Sequence, residues 1–392
     1  MSERPTIVIA GAGIGGLTAA LTVARAGFRV IVCERAAELA EIGAGIQLSP
    51  NAGRVLAGLD LDSPIASVAV EPEALEIRRG SDGELISSLP VSEFRRRYGF
   101  PYRVIHRGDL QAILLGAVAA HPEIELRLAT PVTGFTVLAS SIVVVLDGGG
   151  TGEEAAGLIA ADGVWSSLRA KIAPRPAVPT GRTAWRALIS AADAPAVLRA
   201  DRVCLWLSPT VHLVAYPVVK GAAINLVAIV HEDWRGEGWN APGDPAELAG
   251  YFEAWQPDLR AIFATAIAWR KWALTAVDPA GPWVSGPVAL LGDAAHAMEP
   301  YLAQGAAMAI EDAAVLGQAL AAKPSDVPAA LLAYESNRRA RVSRCWQAAK
   351  STGDYYHLGP AAGSVRDLFL KFAAAPMVLS RNDWLFAWTP PR

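Results

Sequence analysis

Residues 6–10 form a short apolar run rich in β-branched side chains and bounded by glycine, the pattern of a buried parallel strand. Leu17, Ala20, Leu21 and Ala24 then recur at helical spacing, which predicts a helix over 15–26 ending at Gly27. Residues 29–33 return to an apolar strand, completing β-α-β in about thirty residues. Ser49-Pro50-Asn51 opens a helix to about Leu59, with proline in its first turn. Residues 73–91 alternate around Gly80 and Asp82-Gly83, as a hairpin does. A helix over 108–120 follows, then strands over 123–128, 132–138 and 142–147, and a run over 158–161 that leads into Asp162-Gly163. The proline-rich stretch 174–179 reads as a crossing between domains. Strands are expected at 183–190, 202–207, 212–219 and 223–230, with a helical excursion at 245–255. Residues 287–291 revert to the buried parallel type, 304–322 form a long Ala-rich helix, and further helices follow.

This pattern predicts an α/β protein. A Rossmann-like dinucleotide domain is built from 1–72, 100–180 and 283–330. An antiparallel-sheet domain for the substrate, 73–99 and 181–282, is inserted into it, and 331–392 is a C-terminal helical segment. Composition agrees: of 392 residues, 52% are hydrophobic and 19% charged, the balance of an ordered globular chain. A net charge of −3 and no basic stripe argue against nucleic acid and anionic lipid as partners. Mean hydropathy is positive, +0.28, but no apolar run reaches the ~18 residues of a spanning helix. The first ten residues lack the features of a secretory signal, so a cytoplasmic monomer or homodimer is expected. Cys33, Cys204 and Cys345 show no C-x-x-C spacing, and the six histidines no H-x-x-x-H, so neither disulfide nor metal is expected. No G-x-S-x-G supports a hydrolase.

Gly11-Ala12-Gly13-Ile14-Gly15-Gly16 supplies G-x-G-x-x-G at a strand-to-helix turn. Gly11 permits the tight turn, Gly13 lets backbone approach a pyrophosphate, and Gly16 allows close helix–strand packing. The helix N-terminus offers free N–H groups and a partial positive charge. Glu34, at the end of the second strand, can accept hydrogen bonds from ribose hydroxyls. The motif alone does not choose between FAD and NAD. Two later segments bear on the choice: 161–169, Ala-Asp-Gly-Val-Trp-Ser-Ser-Leu-Arg, and 291–296, Leu-Gly-Asp-Ala-Ala-His, followed by Pro300 and Gln304-Gly305-Ala306-Ala307.

Together these segments resemble group A flavoprotein aromatic hydroxylases, in the branch of salicylate hydroxylase, 3-hydroxybenzoate 6-hydroxylase and 6-hydroxynicotinate 3-monooxygenase. Similar features are Gly43-Ala44-Gly45-Ile46-Gln47-Leu48-Ser49-Pro50-Asn51-Ala52, Ile105-His106-Arg107-Gly108-Asp109-Leu110, Trp185-Arg186-Ala187-Leu188-Ile189 and Asn382-Asp383-Trp384-Leu385. The likeness spans nearly the whole chain and implies a p-hydroxybenzoate hydroxylase-like fold. It implies that Asp293 holds the ribityl–pyrophosphate region of FAD and that Asp162 serves FAD and a passing NADH or NADPH. Arg107 is implied to contact the flavin side, Gln47 to lie near the isoalloxazine and Leu128 beside the adenosine, with Arg35 also among the cofactor-binding residues. A helix starting near Gln304 would aim its N-terminus at the flavin and stabilise its anionic reduced form. On the residues alone, Asp293 also reads as a helix N-cap and Arg107 as a surface ion pair.

Strand period two puts His212, Val214 and Tyr216 on one face. An imidazole and a phenol there can form a relay that deprotonates a phenolic substrate, or they are a satisfied core histidine and a packed tyrosine. The resemblance places both in the substrate pocket. Arg186 is a candidate cation for a substrate carboxylate, or a sheet-surface ion pair, and His296 reads as structural. The resemblance implies that NAD(P)H reduces the flavin, that O2 then gives a C4a-hydroperoxide, and that this hydroxylates the ring. The 6-hydroxynicotinate enzymes carry histidine where this chain has Gln47 and Tyr301, which argues against a pyridine acid. The stretch 298–302 around Tyr301 favours a salicylate-like substrate. 3-Hydroxybenzoate or a hydroxypyridine carboxylate is the alternative, and an FAD-binding module without hydroxylase activity is the alternative of another class.

Overall fold

The computed structural model describes residues 4–39, 45–139, 141–147, 152–234, 238–266 and 268–391. Gly43 and Ala44 of the quoted motif therefore lie outside the described residues. Strand Thr6–Ala10 leads into helix α1 (Ile14–Arg25), and strand Arg29–Cys33 returns parallel to the first with Val32 opposite Ile9. Ile7, Val8 and Ile9 are all fully buried, as are Leu17, Ala19 and Ala20 of α1. A strand without a polar face is what a parallel sheet covered on both sides demands.

The sheet has six strands, in the order Val284–Ser285, Val288–Leu290, Gly157–Ala160, Thr6–Ala10, Arg29–Cys33 and Ile124–Arg127. All neighbours are parallel except the Val284–Ser285 edge. Helix α2 (Pro50–Gly58) and helix α3 (Arg107–Ala119) pack nearby. Helix α4 (Gly305–Ala322) lies along α1, where Thr22 Oγ1 donates to the Ala313 carbonyl at 2.7 Å. Helix α5 (Val327–Tyr356) packs on α4, and helix α6 (Pro360–Phe372) reaches the second sheet.

The second sheet has eight strands: Asn240–Gly243, Trp269–Ala276, Val178–Ser190, Ala223–His231, Val211–Val218, Arg202–Leu207, Ala74–Arg79 and Leu85–Pro90. It departs from the expected antiparallel sheet at one place, where Arg202–Leu207 runs parallel to Ala74–Arg79. The hairpin over 74–90 belongs to an earlier stretch of chain and joins the sheet edge as a unit, so no tight turn dictates its direction. Strand Trp269–Ala276 escaped the sequence pattern because adjacent charges, Arg270 and Lys271, break its alternation. The helix expected over 245–255 stops at Gly250. Leu248, Phe252, Trp255 and Leu259 cover one face of this sheet over Trp185 and Trp206. The opposite face meets the segment around Gly45 and the rings of Tyr301 and Tyr356.

Candidate active site

Gly11 has φ +106°, and a Cβ there would collide with the Ala161 carbonyl oxygen, so the turn admits no larger residue. Gly13 differs: a Cβ there would meet nothing within 4 Å, which leaves open space at the N-terminus of α1. Gly16 packs on the Gly11 carbonyl, and Gly15 packs against Leu291 and Ala309. Glu34 accepts from Ala12 N–H at 2.8 Å through Oε2 and from Ala36 N–H at 3.0 Å through Oε1. It thus braces the loop from the end of the neighbouring strand. Gln111 on α3, missed by motif reading, props the loop by donating to the Ala12 carbonyl at 3.1 Å. Arg35 is exposed beside Glu34. Leu128, 38% exposed, sits next to them, because Ala129 N–H donates to the Ala36 carbonyl and Thr130 N–H to the Glu34 carbonyl.

Asp162 follows strand Gly157–Ala160, and its Oδ1 is buried without a hydrogen-bond partner. Burial pushes its carboxyl above the usual range, against a hydrogen bond from Ser166. Arg169 fastens this loop to the next one, donating to the Val164 carbonyl at 2.8 Å and the Ala294 carbonyl at 3.1 Å. Gly292, at φ +63°, precedes the short helix Asp293–His296, so Asp293 is the first helical residue and not its N-cap. Its side chain is exposed, and Oδ1 lies 4.0 Å from the position of a Cβ on Gly305. Gly305, Ala306 and Ala307 start α4. Gln304 precedes them, but its side chain turns inward: Nε2 donates to Ser49 Oγ at 2.9 Å and Oε1 accepts from Asn51 at 3.0 Å.

Beneath α4 lies a buried ionic network. Arg338 donates to Glu311 and to Asp312, both at 2.7 Å, and all three are fully buried. Asp312 also accepts from His296 at 2.6 Å and from Gly292 N–H at 3.1 Å. Burial alone would raise the Asp312 carboxyl, but His296 and Arg338 outweigh it and hold it below its usual range. Arg341 pairs with Glu311 at 2.7 Å and donates to the Leu385 carbonyl at 2.8 Å. Trp388 stacks on Arg338 and Arg341, each 5.3 Å from the ring centroid, and its carbonyl accepts from Arg54 on α2. The paired acids Glu311-Asp312 in an otherwise apolar helix were the available sequence signal for this network.

The second sheet meets these loops on one face. Strand pairing sets three rows across it: His212–Ile229–Ala184, Val214–Val227–Arg186 and Tyr216–Asn225–Leu188. Arg186 therefore lies in the row between those of His212 and Tyr216, two strands away, about 10 Å by strand spacing. Its guanidinium lies 5.2 Å from the Trp272 ring centroid. Burial pushes the Tyr216 hydroxyl up from its ordinary pKa, and Arg186 opposes this. The Tyr216 ring packs against Gly45, whose N–H donates to Asn225 at 2.8 Å. Gln47 accepts from Tyr102 at 2.5 Å and, like Arg186, opposes the rise of the Tyr216 hydroxyl. Its strand, Gly45–Leu48, pairs with Arg103–His106, which puts Arg107 at the start of α3.

At the other end, the His212 ring centroid is 5.3 Å from that of Tyr301 and 5.5 Å from that of Tyr356. Tyr301 Oη accepts from Arg182 at 2.6 Å. His212 and Tyr216 share the expected face, but each has its own partners. His212 Nδ1 is 2.9 Å from His357 Nε2, while Tyr216 lies against Gly45 and Gln47. His357 carried no sequence signal, being a lone histidine at the end of α5.

The donors fit FAD: open space at a helix N-terminus for a pyrophosphate, an exposed carboxylate in Asp293, and an unpartnered buried oxygen in Asp162. A family model described as "FAD binding domain" matches residues 4–349. The 3-hydroxybenzoate 6-hydroxylase of Polaromonas naphthalenivorans (strain CJ2) is 36% identical over 99% of this chain and 98% of its own. The 6-hydroxynicotinate 3-monooxygenase of Pseudomonas fluorescens is 32% identical over 88% and 90%. A salicylate hydroxylase solved with its substrate superposes with a TM-score of 0.83, over 99% of this chain and 97% of its own, at 24% identity. The last likeness speaks for the fold. With loop geometry, family match and full-length relatives in agreement, the chain belongs to the FAD-binding domain family, among its flavin-dependent aromatic hydroxylases.

Proposed function

We propose that this protein hydroxylates a phenolic aromatic acid of the 3-hydroxybenzoate type, consuming NADH or NADPH and O2. The observation that carries this is the sheet face with His212 and Tyr216 at its two ends and Arg186 in the row between them. A ring with a phenol and a carboxylate offers one group to a base and one to a cation. The 36% identity to a 3-hydroxybenzoate 6-hydroxylase supports this substrate over salicylate, whose hydroxylase shares only the fold at 24%. The lean toward salicylate drawn from residues 298–302 is accordingly replaced by the alternative.

Gly11, Gly13, Gly15 and Gly16, with Glu34, Arg35 and Leu128, would hold the adenosine and pyrophosphate of FAD. Asp162, Asp293 and the backbone of Gln304 to Ala307 would hold the ribityl chain and flavin, flanked by Gln47 and Arg107. Bound FAD supplies the redox chemistry, drawing electrons from the nicotinamide and directing an oxygen atom from O2 to the ring. The chain's own part is to orient and ionise the substrate. His212 would accept the phenol proton, and ionisation raises electron density on the carbons ortho and para to the oxygen. Arg186 would hold the carboxylate. Tyr216, kept protonated by burial, would donate a hydrogen bond, and Tyr301 would close the pocket beside His212. The domain limits proposed from the sequence assign the first sheet to FAD and the second to the substrate.

The test is NADH and NADPH oxidation by the FAD-loaded protein with 3-hydroxybenzoate, salicylate and 6-hydroxynicotinate, with product identification and peroxide measurement. The expected result is a dihydroxybenzoate formed from 3-hydroxybenzoate, and a loss of about 100-fold in hydroxylation for His212→Ala with FAD binding retained. Equal loss of both in that variant would make His212 a core residue. Bound flavin without substrate-stimulated oxidation of either nucleotide would favour the non-hydroxylating module.

A further inference from the structure

His212 is a base that cannot keep a proton. Burial, then His357 and Arg182, hold its imidazole well below its ordinary pKa. A proton taken from a substrate must therefore be passed on, and the geometry shows where it can go. His212 Nδ1 lies 2.9 Å from His357 Nε2, and His357 Nδ1 lies 3.1 Å from His231 Nε2. His212 is 1% exposed, whereas His231, on the end of strand Ala223–His231, is exposed. Three of the chain's six histidines thus form a continuous hydrogen-bonded file from the buried sheet face to solvent.

We propose that His357 and His231 form the exit by which the substrate's phenolic proton leaves the site through His212. This rests on the reading of His212 as the acceptor of that proton. In the resting file His212 carries its proton on Nδ1, His357 on Nδ1 and His231 on Nδ1, each donating outward. As the phenol O–H bond breaks, His212 gains a proton on Nε2 and yields its Nδ1 proton to His357 Nε2. His357 yields its Nδ1 proton to His231 Nε2, and His231 releases its own to water. One phenol becomes one phenolate, one proton reaches solvent, and every imidazole stays neutral with its tautomer reversed. Protonation of the leaving product runs the file backward and resets it.

The surroundings suit transfer without storage. Arg182 lies near all three rings and disfavours a resident imidazolium, and burial with His231 and Arg182 pushes His357 down to about 3. Asp354, near the outer two rings, favours the proton there and draws it outward. Tyr301 and Tyr356 wall the inner end, Glu299 pairs with Arg182, and Arg366 faces His357 from α6.

The experiment mixes FAD-loaded, oxidised protein with 3-hydroxybenzoate in weak buffer containing a pH-indicator dye. Phenolate absorbance and proton release are followed by stopped flow. His357→Gln and His231→Gln are each expected to slow proton release at least 10-fold, with substrate affinity and FAD content unchanged. Free imidazole should restore the rate, which a structural role would not produce. His231→Gln alters an exposed side chain, so it tests the file even if His357→Gln fails to fold. Unchanged release in both variants overturns the exit while leaving His212 as the base. Slowed release that imidazole does not restore also overturns it. If the wild type releases no proton, or His212→Ala releases it as fast as the wild type, the underlying reading fails and the exit fails with it.

Discussion

Single residues in the glycine turn divide into those that serve the polypeptide and those that serve its ligand. Gly11 is held by the Ala161 carbonyl, so its side-chain-free state is a folding requirement. Gly13 faces open space with ordinary backbone angles, φ −72° and ψ 177°, so nothing in the protein forbids a methyl group there. Gly13→Ala is therefore expected to change the stability of the FAD-free protein by no more than about 1 kcal/mol. Its FAD affinity should fall at least about tenfold, or ~1.4 kcal/mol. Flavin-fluorescence titration beside urea unfolding checks both halves. The turn was legible because its chemistry is local: spacing alone places each glycine. The opposite holds for Gln304, whose place in the motif says nothing of a side chain turned toward Ser49 and Asn51. His357 was illegible for the same reason, since its meaning comes from His212, 145 positions away.

Among elements, the pair α4 and α5 encloses a fully buried set of charges. Glu311 and Asp312 face Arg338 with no solvent to screen them. Removing one partner of a buried pair leaves the other charge unbalanced. Arg338→Met is thus expected to destabilise the protein by about 3–5 kcal/mol, read as a lower urea midpoint. FAD release should accompany the loss, because Asp312 also fixes Gly292 N–H beside Asp293. The strands show how far periodicity reaches. The sequence pattern located strand 202–207 and, within 73–91, the hairpin whose first strand is 74–79, because apolar and alternating runs are local properties. It could not reveal that these two strands lie side by side and parallel, since pairing direction depends on the chain between them.

For the whole molecule, the file of histidines makes stability depend on pH. His212 and His357 are neutral in the fold and ionise freely, near 6.5, when unfolded. Below that value the unfolded chain binds more protons than the native one, so stability falls as pH falls. For His357 the loss continues toward pH 3. Each histidine adds up to ~1.4 kcal/mol per pH unit to the slope. Between pH 6.5 and 5 the double variant His212→Asn/His357→Asn should lose stability less steeply than the wild type, measured by urea unfolding at each pH. Equal slopes would mean that the two rings already carry charge in the fold.

The carbonyl of Trp388, which receives Arg54 from α2, has a consequence for how the protein is born. A ribosome makes these two residues 334 positions apart, which at roughly 5–20 residues per second is a delay of about 20–70 s. The first strand likewise waits for Gly157–Ala160, which in turn waits for Val288–Leu290. Over that interval the nascent chain holds apolar strands whose neighbours have not been translated, the condition under which chaperones engage. The pace of synthesis therefore sets the earliest moment at which the arginines beneath α4 can be sealed.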